Sequence, residues 1–418
     1  MTHWTIDKAR KLDAHDPLAP KRAFFEIPEG VIYLDGNSLG VLPTSVPDRV
    51  QRVVQDEWGK GLIRSWNDAN WMSLPSCVGA RIARLIGAAP GSVVAADSTS
   101  VNLFKMVVAA RRLRPGRSKI LTETGNFPTD IYVLQGISDL LGAGTTVEKL
   151  TRSGPGSEHV LDALDQDTAV LCLTHVDFRT GTFHDMAAVT AKAHEVGALV
   201  VWDLAHSAGA LPVDMTATGA DFAVGCGYKY LNGGPGAPAF LYVAPQHQNQ
   251  IQPPLSGWMG HAKPFDFGED YTPAPGVARN LCGTPVVLGL SILDEALKVF
   301  GDVDMLDVRA KSMAMGDMFI ELVEARLAGH GFTLVSPREG RLRGSQVSFA
   351  SADGYAIVQA LIERGVIGDF RAPNIMRFGF TPLYLSYEDI YRAVEALEGI
   401  MDSGVWRDEK YSHRNAVT

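Results

Sequence analysis

Two residues of this 418-residue chain have the types and positions that cofactor chemistry requires. Lys229 lies in the glycine-rich run 225–236, and Asp203 directly follows the apolar run 198–202. A lysine amine can form a Schiff base with an aldehyde, and a carboxylate can keep a pyridine nitrogen protonated so that the ring accepts electrons. The pair predicts a pyridoxal-phosphate enzyme in which Lys229 binds the aldehyde and Asp203 pairs with the ring nitrogen.

Each of these residues alone has a plainer interpretation, as a solvated surface lysine or as a helix-capping aspartate. The flanking sequence favours the functional one. Residues 198–202 form a continuous apolar run typical of a central parallel strand, and ligands bind at the carboxyl ends of such strands. Residues 220–226 predict the next strand, which leads directly to Lys229.

A second polar segment, residues 97–103, stands between a predicted strand and a predicted helix. Its hydroxyls, together with the free N–H groups of a helix start, could bind a phosphate, although a simple N-terminal cap fits the same residues. The segment is not a Walker P-loop, and residues 233–236 lack the dinucleotide-binding glycine pattern. Residues 126–130 begin another helix, where Phe127 is either core or a ring stacked on the cofactor and Asp130 is a first-turn carboxylate.

The elements around these residues predict an α/β fold. Strands at 93–96, 119–122, 169–173 and 198–202 alternate with helices that begin near 100, near 128 and at 186. Helical spacing also covers 46–58 and 73–86. Such alternation predicts a parallel sheet covered by helices on both faces.

The pattern changes after residue 285 and predicts a second, smaller α+β domain. Long helices are expected at 285–300 and 303–328, and shorter ones at 354–364 and 387–402. Strands are expected near 332–335, 345–349 and 375–380. We therefore divide the chain into an N-terminal arm that joins the small domain (1–45), a large cofactor-binding domain (46–285) and a small C-terminal domain (286–418).

Bulk properties exclude several classes of function. The formal net charge is −9 and no basic stripe is present, so nucleic acid is not expected as a partner. The sequence contains no run of 18 apolar residues, so no membrane span is predicted. The N-terminus also lacks the apolar segment of a signal peptide. The four widely spaced cysteines predict reduced thiols in a cytoplasmic protein, and neither they nor the histidines have metal-ligand spacing.

Several motifs together resemble the bacterial kynureninases, which are pyridoxal-phosphate hydrolases of fold type I. The resemblance extends from residues 33–40 to residues 376–384 and so covers nearly the whole chain. Its most specific parts are residues 61–67, 127–130, 202–209, 228–236, 255–258 and 282–285. It implies an aspartate-aminotransferase-like fold, with a mainly parallel seven-stranded sheet in the large domain and a smaller α+β C-terminal domain.

The resemblance also implies roles for individual residues. Lys229 would be the Schiff-base lysine and proton shuttle, and Asp203 would pair with the pyridinium nitrogen. The other implied cofactor contacts are His206 near the ring, Thr99, Ser100 and Tyr228 at the phosphate, Phe127 stacked on the ring with Pro128, Thr129 and Asp130 beside it, and the Thr174 hydroxyl.

Residues from elsewhere in the chain would complete the site. Trp258 and Thr284 would reach the phosphate of the neighbouring subunit, which implies a homodimer with shared active sites. Arg377 would bind the substrate carboxylate through its planar fork. Its apolar flanks suggest a semi-buried strand, where an unpaired guanidinium would be costly. Trp66, Asn37 and Ser38 would border the aryl pocket.

One local departure from the family pattern is Asp177, where we would expect Asn or Gln. A carboxylate facing the cofactor's phenolic oxygen would disfavour its anion. The alternatives are that Asp177 points away or binds a cation. This concerns a local contact and leaves the implied reaction class unchanged.

The implied reaction is the hydrolysis of L-kynurenine to anthranilate and L-alanine, a step of tryptophan catabolism in the kynurenine pathway towards NAD. The sequence does not rank kynurenine against 3-hydroxykynurenine. A fold-type I aminotransferase is the nearest alternative. A cysteine desulfurase is disfavoured because no cysteine follows Cys282. A Rossmann dehydrogenase lacks its glycine fingerprint, and no DNA-binding module supports a cofactor-binding regulator.

Overall fold

The computed structural model describes residues 4–152, 154 and 156–414. Its α-helices, in chain order, are α1 (Ile6–Asp13), α2 (Val46–Arg52), α3 (Ser65–Asp68), α4 (Leu74–Leu85), α5 (Thr99–Arg112), α6 (Pro128–Leu141), α7 (Glu158–Ala163), α8 (Met186–Glu195), α9 (Val287–Ala296), α10 (Met305–Arg326), α11 (Gly354–Glu363) and α12 (Tyr387–Ser403).

The strands, also in chain order, are β1 (Ile32–Tyr33), β2 (Val93–Ala95), β3 (Lys119–Glu123), β4 (Thr146–Leu150), β5 (Thr168–Thr174), β6 (Leu199–Asp203), β7 (Phe222–Gly225), β8 (Phe240–Val243), β9 (Thr333–Leu334), β10 (Gln346–Ala350), β11 (Val366–Ile367), β12 (Asp369–Arg371) and β13 (Ile375–Gly379). The chain divides into two compact units, one comprising Ser45–Asp177 and His184–Lys298. The other comprises Met1–Thr44, Phe178–Phe183 and Val299–Thr418, as far as these segments are described.

A seven-stranded sheet forms the centre of the larger unit, as the family resemblance implied. Its strand order is β2-β8-β7-β6-β5-β3-β4, and β8 alone runs antiparallel to its neighbours. Strands β5 and β6 are buried along their whole length, because Val- and Leu-rich strands of a parallel sheet are covered on both faces. The helix α5 packs on β5, β6 and β7, and α8 packs on β6.

The polar residues of interest follow from this topology. Parallel strands end at the same edge of the sheet, so the carboxyl ends of β5, β6 and β7 lie side by side. Thr174 ends β5, Asp203 ends β6, and Lys229 lies shortly after β7. Such an edge is where open α/β sheets bind ligands.

The smaller unit contains a four-stranded antiparallel sheet of order β12-β13-β10-β9. Helices α10 and α12 pack on each other, and α10 also packs on β10. Phe319 of α10 supplies an aromatic centre, with its ring 4.8 Å from that of Phe378 and 5.6 Å from that of Phe380. The separate pair β1 and β11 is parallel.

Some elements differ from those expected from the sequence. The larger compact unit extends to Lys298, because α9 packs on α2 and α4, and the domain boundary predicted at residue 285 stays a prediction. Strands β4 and β8 were not predicted: β4 is largely exposed and charged, and β8 follows the glycine-rich turn. The helix expected over 46–58 changes at Val53 into a π-helix that ends at Gly61.

No helix in the described ranges has both the length and the apolar character needed to cross a membrane.

Candidate active site

Lys229 lies in a turn that requires glycine at positions 227 and 233. A Cβ atom at Gly227 would lie 2.4 Å from the Pro238 carbonyl oxygen, and one at Gly233 would lie 2.7 Å from the Gly227 carbonyl oxygen. Asn232 has the positive φ of 57° that asparagine tolerates better than most residues. The turn is closed by a hydrogen bond of 2.9 Å from the Asn232 N–H to the Lys229 carbonyl. These contacts fix the backbone that carries the lysine.

The Lys229 amine is surrounded by three of the predicted cofactor residues. Its Nζ lies 3.0 Å from Nε2 of His206, 5.7 Å from the ring centre of Phe127 and 5.8 Å from that of Tyr228. Lys229 and Tyr228 are half-buried, and the Phe127 side chain is exposed. The structure therefore brings together an amine, an imidazole and an aromatic face that the sequence predicted separately.

Two buried carboxyl groups, Asp130 and Asp203, adjoin each other near Lys229. Burial and the charge of Asp203 raise the pKa of Asp130 well above its ordinary value. Burial also raises the pKa of Asp203, although the charge of Lys229 and the Ala205 N–H, which donates to Oδ1 at 2.8 Å, oppose the rise. Asp130 accepts a longer hydrogen bond of 3.3 Å from the Thr174 hydroxyl, and the charge of Asp203 raises its pKa further, so the proton of the pair is favoured on Asp130.

Thr174 connects this pair to a buried chain of hydrogen bonds. Its N–H donates to Oδ1 of Asn126 at 2.8 Å, and Nδ2 of Asn126 donates to the Thr122 hydroxyl at 3.0 Å. No role was predicted for Asn126 or Thr122 from the sequence. The signal that could have found Asn126 is its place directly before Phe127, at the turn from β3 into α6.

The predicted phosphate residues lie at the starts of two helices. The Ser100 and Thr129 hydroxyl oxygens are 3.2 Å apart, and Ser98 caps α5 by accepting a hydrogen bond of 3.4 Å from the Val101 N–H. Thr99 and Ser100 occupy the first turn of α5, and Pro128 and Thr129 that of α6. The first turn of a helix has N–H groups without intrahelical partners, a suitable arrangement for an anion, although Pro128 has no N–H and the Asp130 N–H donates to the Phe127 carbonyl at 2.9 Å.

The other predicted residues of the larger unit lie on separate segments. Trp258 begins a 3-10 turn, Trp258–Gly260, and its side chain is 40% exposed; Thr284 is also exposed. Trp66 lies in α3 and packs edge-to-face on Trp71, with ring centres 5.7 Å apart. The predicted roles of these residues towards a substrate or a second subunit remain predictions.

In the smaller unit, Arg377 is fully buried and bound on several sides. Its Nε donates to Oδ1 of Asp369 at 2.8 Å, and its Nη2 donates to Oδ2 of Asp369 at 2.5 Å and to the Ser38 hydroxyl at 2.7 Å. Nη1 donates to the Phe178 carbonyl at 2.6 Å. The bidentate Nε–Nη2 edge is therefore occupied by Asp369, and Ser38 and the Phe178 carbonyl take further donors of the same guanidinium. The predicted role of Arg377 towards a substrate carboxylate stays a prediction.

Asp369 and Asp35 also belong to this cluster, and neither was predicted from the sequence. Burial opposes ionisation of Asp369, but Arg377 and Arg371 bring its pKa below the ordinary value. Burial and the charge of Asp369 raise the pKa of Asp35 to about 7, against the influence of Arg377. Asp369 is directly paired with Arg377 in the β12–β13 register, so correct pairing of these strands would have revealed it.

Asn37, predicted to border the aryl pocket, is buried in the same unit. A Cβ atom on Gly379 would lie 2.0 Å from Oδ1 of Asn37, so only glycine at that position leaves room for the amide. Within the described residues, neither polar atom of this amide has a hydrogen-bond partner. Buried amides are normally paired, which makes Asn37 a candidate for contact with a bound molecule.

Asp177 is buried in the larger unit, and its Oδ2 lies 3.3 Å from the position of a Cβ atom on Gly125. It therefore packs against the turn that precedes Phe127. Its effect on a cofactor oxygen remains a prediction.

Comparisons with known proteins identify the family. The chain is 53% identical to a kynureninase of Pseudomonas fluorescens over 411 residues, which cover 97% of this chain and 98% of that protein. It is 50% identical to a kynureninase of Burkholderia pseudomallei (strain 1106a) over 418 residues, which cover 99% of this chain and all of the relative. The chain belongs to the kynureninase family. The family profile described as the kynureninase C-terminal domain matches residues 308–397.

Solved structures confirm the fold of this kynureninase-family chain. A mutant of C-DES, with glycine covalently linked to its PLP cofactor, superposes with a TM-score of 0.76 at 18% identity, covering 88% of this chain and 97% of that one. The apo cysteine desulfurase of Thermococcus onnurineus NA1 gives a TM-score of 0.74 at 19% identity, covering 96% of this chain and all of that one. At these identities the likeness concerns the fold alone.

Proposed function

We propose that this chain hydrolyses L-kynurenine to anthranilate and L-alanine with pyridoxal 5'-phosphate as its cofactor. Relatives named kynureninase are 50–53% identical over nearly the full length. The observation that carries the proposal is the Lys229 amine, which lies beside His206 and Phe127 and interacts with the buried Asp130–Asp203 pair. The relatives do not favour the alternative aminotransferase.

The residues present fit pyridoxal phosphate. The aldehyde needs an amine, the ring nitrogen an anionic partner, the ring face an aromatic side chain and the phosphate several hydrogen-bond donors. Lys229, Asp203 and Phe127 supply the first three. For the phosphate, Ser100 and Thr129 place two hydroxyls 3.2 Å apart at helix starts; Thr99 and Tyr228 are the further phosphate ligands that we propose. When bound, the cofactor supplies an electron sink for the bonds around the substrate's Cα.

Lys229 is the proposed catalytic base. Once the substrate amine has replaced it, its Nζ is free to take the proton from Cα and to return a proton later. Tyr228 is the neighbouring group that we propose to assist proton transfer when the γ-carbonyl is hydrated. Positioned acid–base groups of this kind contribute about 10²–10⁴-fold each.

Asp203 and Asp130 have different protonation states and together serve the ring nitrogen. Asp203 holds a negative charge for the ring nitrogen, because Lys229 and the Ala205 N–H favour its anion. Asp130 keeps the proton of the pair and, as a neutral group, can donate a hydrogen bond next to that anion. Thr174 orients Asp130.

The substrate-binding roles in the smaller unit are proposals that rest on the family resemblance. Arg377 would bind the α-carboxylate, since Asp369 holds its guanidinium in place. Asn37 and Ser38, with Trp66 of the larger unit, would select the aryl group. Whether 3-hydroxykynurenine is also a substrate depends on these side chains.

We further propose a cytoplasmic homodimer. All four cysteines are unpaired, as expected in a reducing compartment. The exposed positions of Trp258 and Thr284 are compatible with contact to the cofactor phosphate of a second subunit. The physiological substrate and product are small molecules.

The test is to incubate the purified protein with pyridoxal phosphate and either kynurenine or 3-hydroxykynurenine. Anthranilate fluorescence reports the first reaction, and alanine is measured in the absence of any keto acid. Stoichiometric anthranilate and alanine without an acceptor are the expected result. Alanine formation that requires a keto acid would support the aminotransferase instead. Lys229→Ala should abolish both turnover and the visible absorbance of the bound cofactor, and retention of both would remove Lys229 from its role.

A further inference from the structure

Lys105 is a fully buried lysine to which the proposed chemistry assigns no task. It lies in α5, about one and a half turns after the proposed phosphate residues Thr99 and Ser100. Its Nζ donates to Oδ2 of Asp97 at 2.5 Å and to the backbone carbonyl of Asn280 at 2.7 Å. A buried ammonium is costly unless it is paired, and here two separate segments supply its partners.

The first partner, Asp97, belongs to the turn that leads into α5. Its φ is 52°, a conformation uncommon for residues other than glycine, so the backbone depends on surrounding contacts. Besides the Lys105 contact, the Asp97 carbonyl accepts a hydrogen bond of 2.9 Å from the Ala239 N–H. The position of Asp97 sets where Ser98 caps the helix and where the Thr99 and Ser100 donors point.

The second partner, Asn280, precedes the segment that contains Thr284. The Asn280 side chain is buried and donates to the Val277 carbonyl at 3.0 Å. Two residues later, the Cys282 carbonyl accepts a hydrogen bond of 3.2 Å from the Met259 N–H. A Cβ atom on Gly257 would lie 2.3 Å from that carbonyl, so the Trp258 turn packs tightly on this segment.

We propose that Lys105 is a positioning residue that fixes two phosphate-binding segments at once: residues 97–100, which serve the site of the same subunit, and residues 280–284 with Trp258, which serve the site of a second subunit. The proposal rests on the proposed function and on its shared active sites. One ammonium group thereby couples the cofactor affinities of the two sites in a dimer.

The chemistry of lysine suits this task. An ammonium has three donors in a compact group, so it can bind a carboxylate and a carbonyl from different directions. Replacement by methionine keeps most of the apolar stem but leaves the Asp97 carboxylate and the Asn280 carbonyl without this donor. Both segments should then relax, and the loss should concern the phosphate and not the pyridine ring.

The test compares two cofactor forms. The affinities of wild type and Lys105→Met are measured by visible absorbance for pyridoxal 5'-phosphate and for pyridoxal, which lacks the phosphate. We expect about tenfold weaker binding of pyridoxal phosphate and less than about twofold change for pyridoxal, since one charge-assisted interaction is removed. If the variant binds both cofactor forms equally more weakly, or binds both as tightly as wild type does, the proposal is overturned.

A matched control is available in the smaller unit. Lys311 is also buried, and its Nζ binds Oδ2 of Asp16 at 2.6 Å and the Pro382 carbonyl at 2.7 Å. Lys311→Met removes the same type of contact from a place without a proposed ligand. It should leave the ratio of the two affinities unchanged, and a shift equal to that of Lys105→Met would refute a specific role for Lys105.

Mixed dimers test the two segments separately. In a dimer of Lys105→Met with Lys229→Ala, the site that retains Lys229 has an altered 97–100 segment and an intact 280–284 segment from the other subunit. In a dimer of wild type with the double variant Lys105→Met/Lys229→Ala, the site that retains Lys229 has an intact 97–100 segment and an altered 280–284 segment from the other subunit. Weaker pyridoxal phosphate binding in both hybrids supports the proposal, and weakening in only one contradicts it.

Asp97→Asn, a milder change that keeps an acceptor, provides a second variant should Lys105→Met fail to fold.

These outcomes are separable from failure of the proposed function. If wild type neither binds pyridoxal phosphate nor releases anthranilate, the proposed function is wrong. If wild type does both and Lys105→Met matches it for both cofactor forms, only the role of Lys105 is wrong.

Discussion

At the scale of single residues, Asp130 and Asp203 show how two identical side chains can acquire different tasks. Both are buried, which raises the pKa of each. The charge of Lys229 lowers the pKa of both, but Asp203 also accepts from the Ala205 N–H, whereas the charge of Asp203 raises the pKa of Asp130, which accepts a longer hydrogen bond from the Thr174 hydroxyl. Burial with unequal hydrogen bonding is a general way of separating acid and base roles.

This difference predicts unequal effects of the same substitution. Asp203→Asn removes the charge that pairs with the ring nitrogen, so kcat should fall about 100-fold or more. Asp130→Asn replaces a protonated carboxyl by a neutral amide of similar shape, so kcat should stay within about tenfold of wild type. Steady-state kinetics with kynurenine, at saturating cofactor, measures both. Equal losses in the two variants would contradict our assignment of the proton.

Asp369 is predicted to act through Arg377. Without this carboxylate, a buried guanidinium loses its bidentate partner, a loss that typically costs about 3–5 kcal/mol. Asp369→Asn should therefore raise the KM for kynurenine about 10-fold or more, as Arg377→Ala should, while the affinity for pyridoxal phosphate changes little. Arg371→Ala is the control, because Arg371 binds the same carboxylate from a more exposed position. Parallel loss of cofactor affinity would instead indicate a structural role.

Asp35 makes the stability of the protein depend on pH. Its pKa is raised to about 7, mainly by burial and then by the charge of Asp369, whereas an unfolded aspartate titrates near 4. A raised pKa contributes stability that is fully present below the unfolded value and is lost as pH rises through about 7. Asp35→Asn should therefore increase stability above that pH by roughly 1–3 kcal/mol relative to wild type, and not below pH 4. Melting temperatures of both proteins from pH 4 to 9 measure this, and a constant difference across the range would disprove it.

The sequence indicated candidate site residues more readily than the residues that pair with them. Lys229, Asp203 and Phe127 were singled out because each stands near the end of a predicted strand or the start of a predicted helix, whereas Thr174 came from the family resemblance. Asp369 was missed because its importance depends on antiparallel pairing with Arg377, which periodicity does not reveal. Lys105 was missed for a similar reason: its partner Asn280 is distant in sequence, and a lysine in a helix is usually exposed.

At the scale of elements, α4 and β2 approach each other more closely than side chains would allow. A Cβ atom on Gly79 of α4 would lie 2.2 Å from the Val93 carbonyl oxygen. In α6, by contrast, a Cβ atom on Gly136 would meet nothing within 4 Å. Both glycines are in helix interiors, so they form a matched pair in which only the packing differs.

The pair predicts opposite results for the same mutation. Gly79→Ala should destabilise the protein by about 1–3 kcal/mol, because helix and strand must move apart. Gly136→Ala should stabilise it by up to about 1 kcal/mol, because alanine has the higher helix propensity. Denaturation monitored by circular dichroism gives both values. If Gly79→Ala were as stable as Gly136→Ala, the close approach of α4 to β2 would be wrong.

The elements were predicted well where their patterns were strong. The buried strands β5 and β6 and the long helix α10 have continuous apolar runs or clear helical spacing, and the structure confirms them. Strand β4 was missed because its exposed, charged residues resemble a loop. The assignment of Phe178–Phe183 to the smaller unit also escaped prediction, because it depends on contacts such as that from Arg377 to the Phe178 carbonyl.

At the scale of the whole molecule, the larger unit exposes an aromatic cluster that includes Trp258, a residue proposed to serve a second subunit. The ring of Trp258 packs edge-to-face on Phe265 at 5.7 Å, and Phe265 on Phe267 at 6.3 Å. Phe267 is 79% exposed. Contiguous exposed apolar side chains commonly mark an interaction surface, which agrees with the homodimer that we propose.

Sharing of active sites can be tested by complementation between two inactive or weakened homodimers. Lys229→Ala lacks the catalytic amine in both sites, and Thr284→Ala lacks the proposed contact to the neighbouring phosphate in both. When the two are unfolded and refolded together at equal concentration, half of the dimers are mixed. Each mixed dimer then contains one site with Lys229 from one subunit and Thr284 from the other, so about a quarter of wild-type activity should appear in a symmetric dimer. If Thr284 serves its own subunit, no site in the mixed dimer is complete, and activity stays at the average of the two parents.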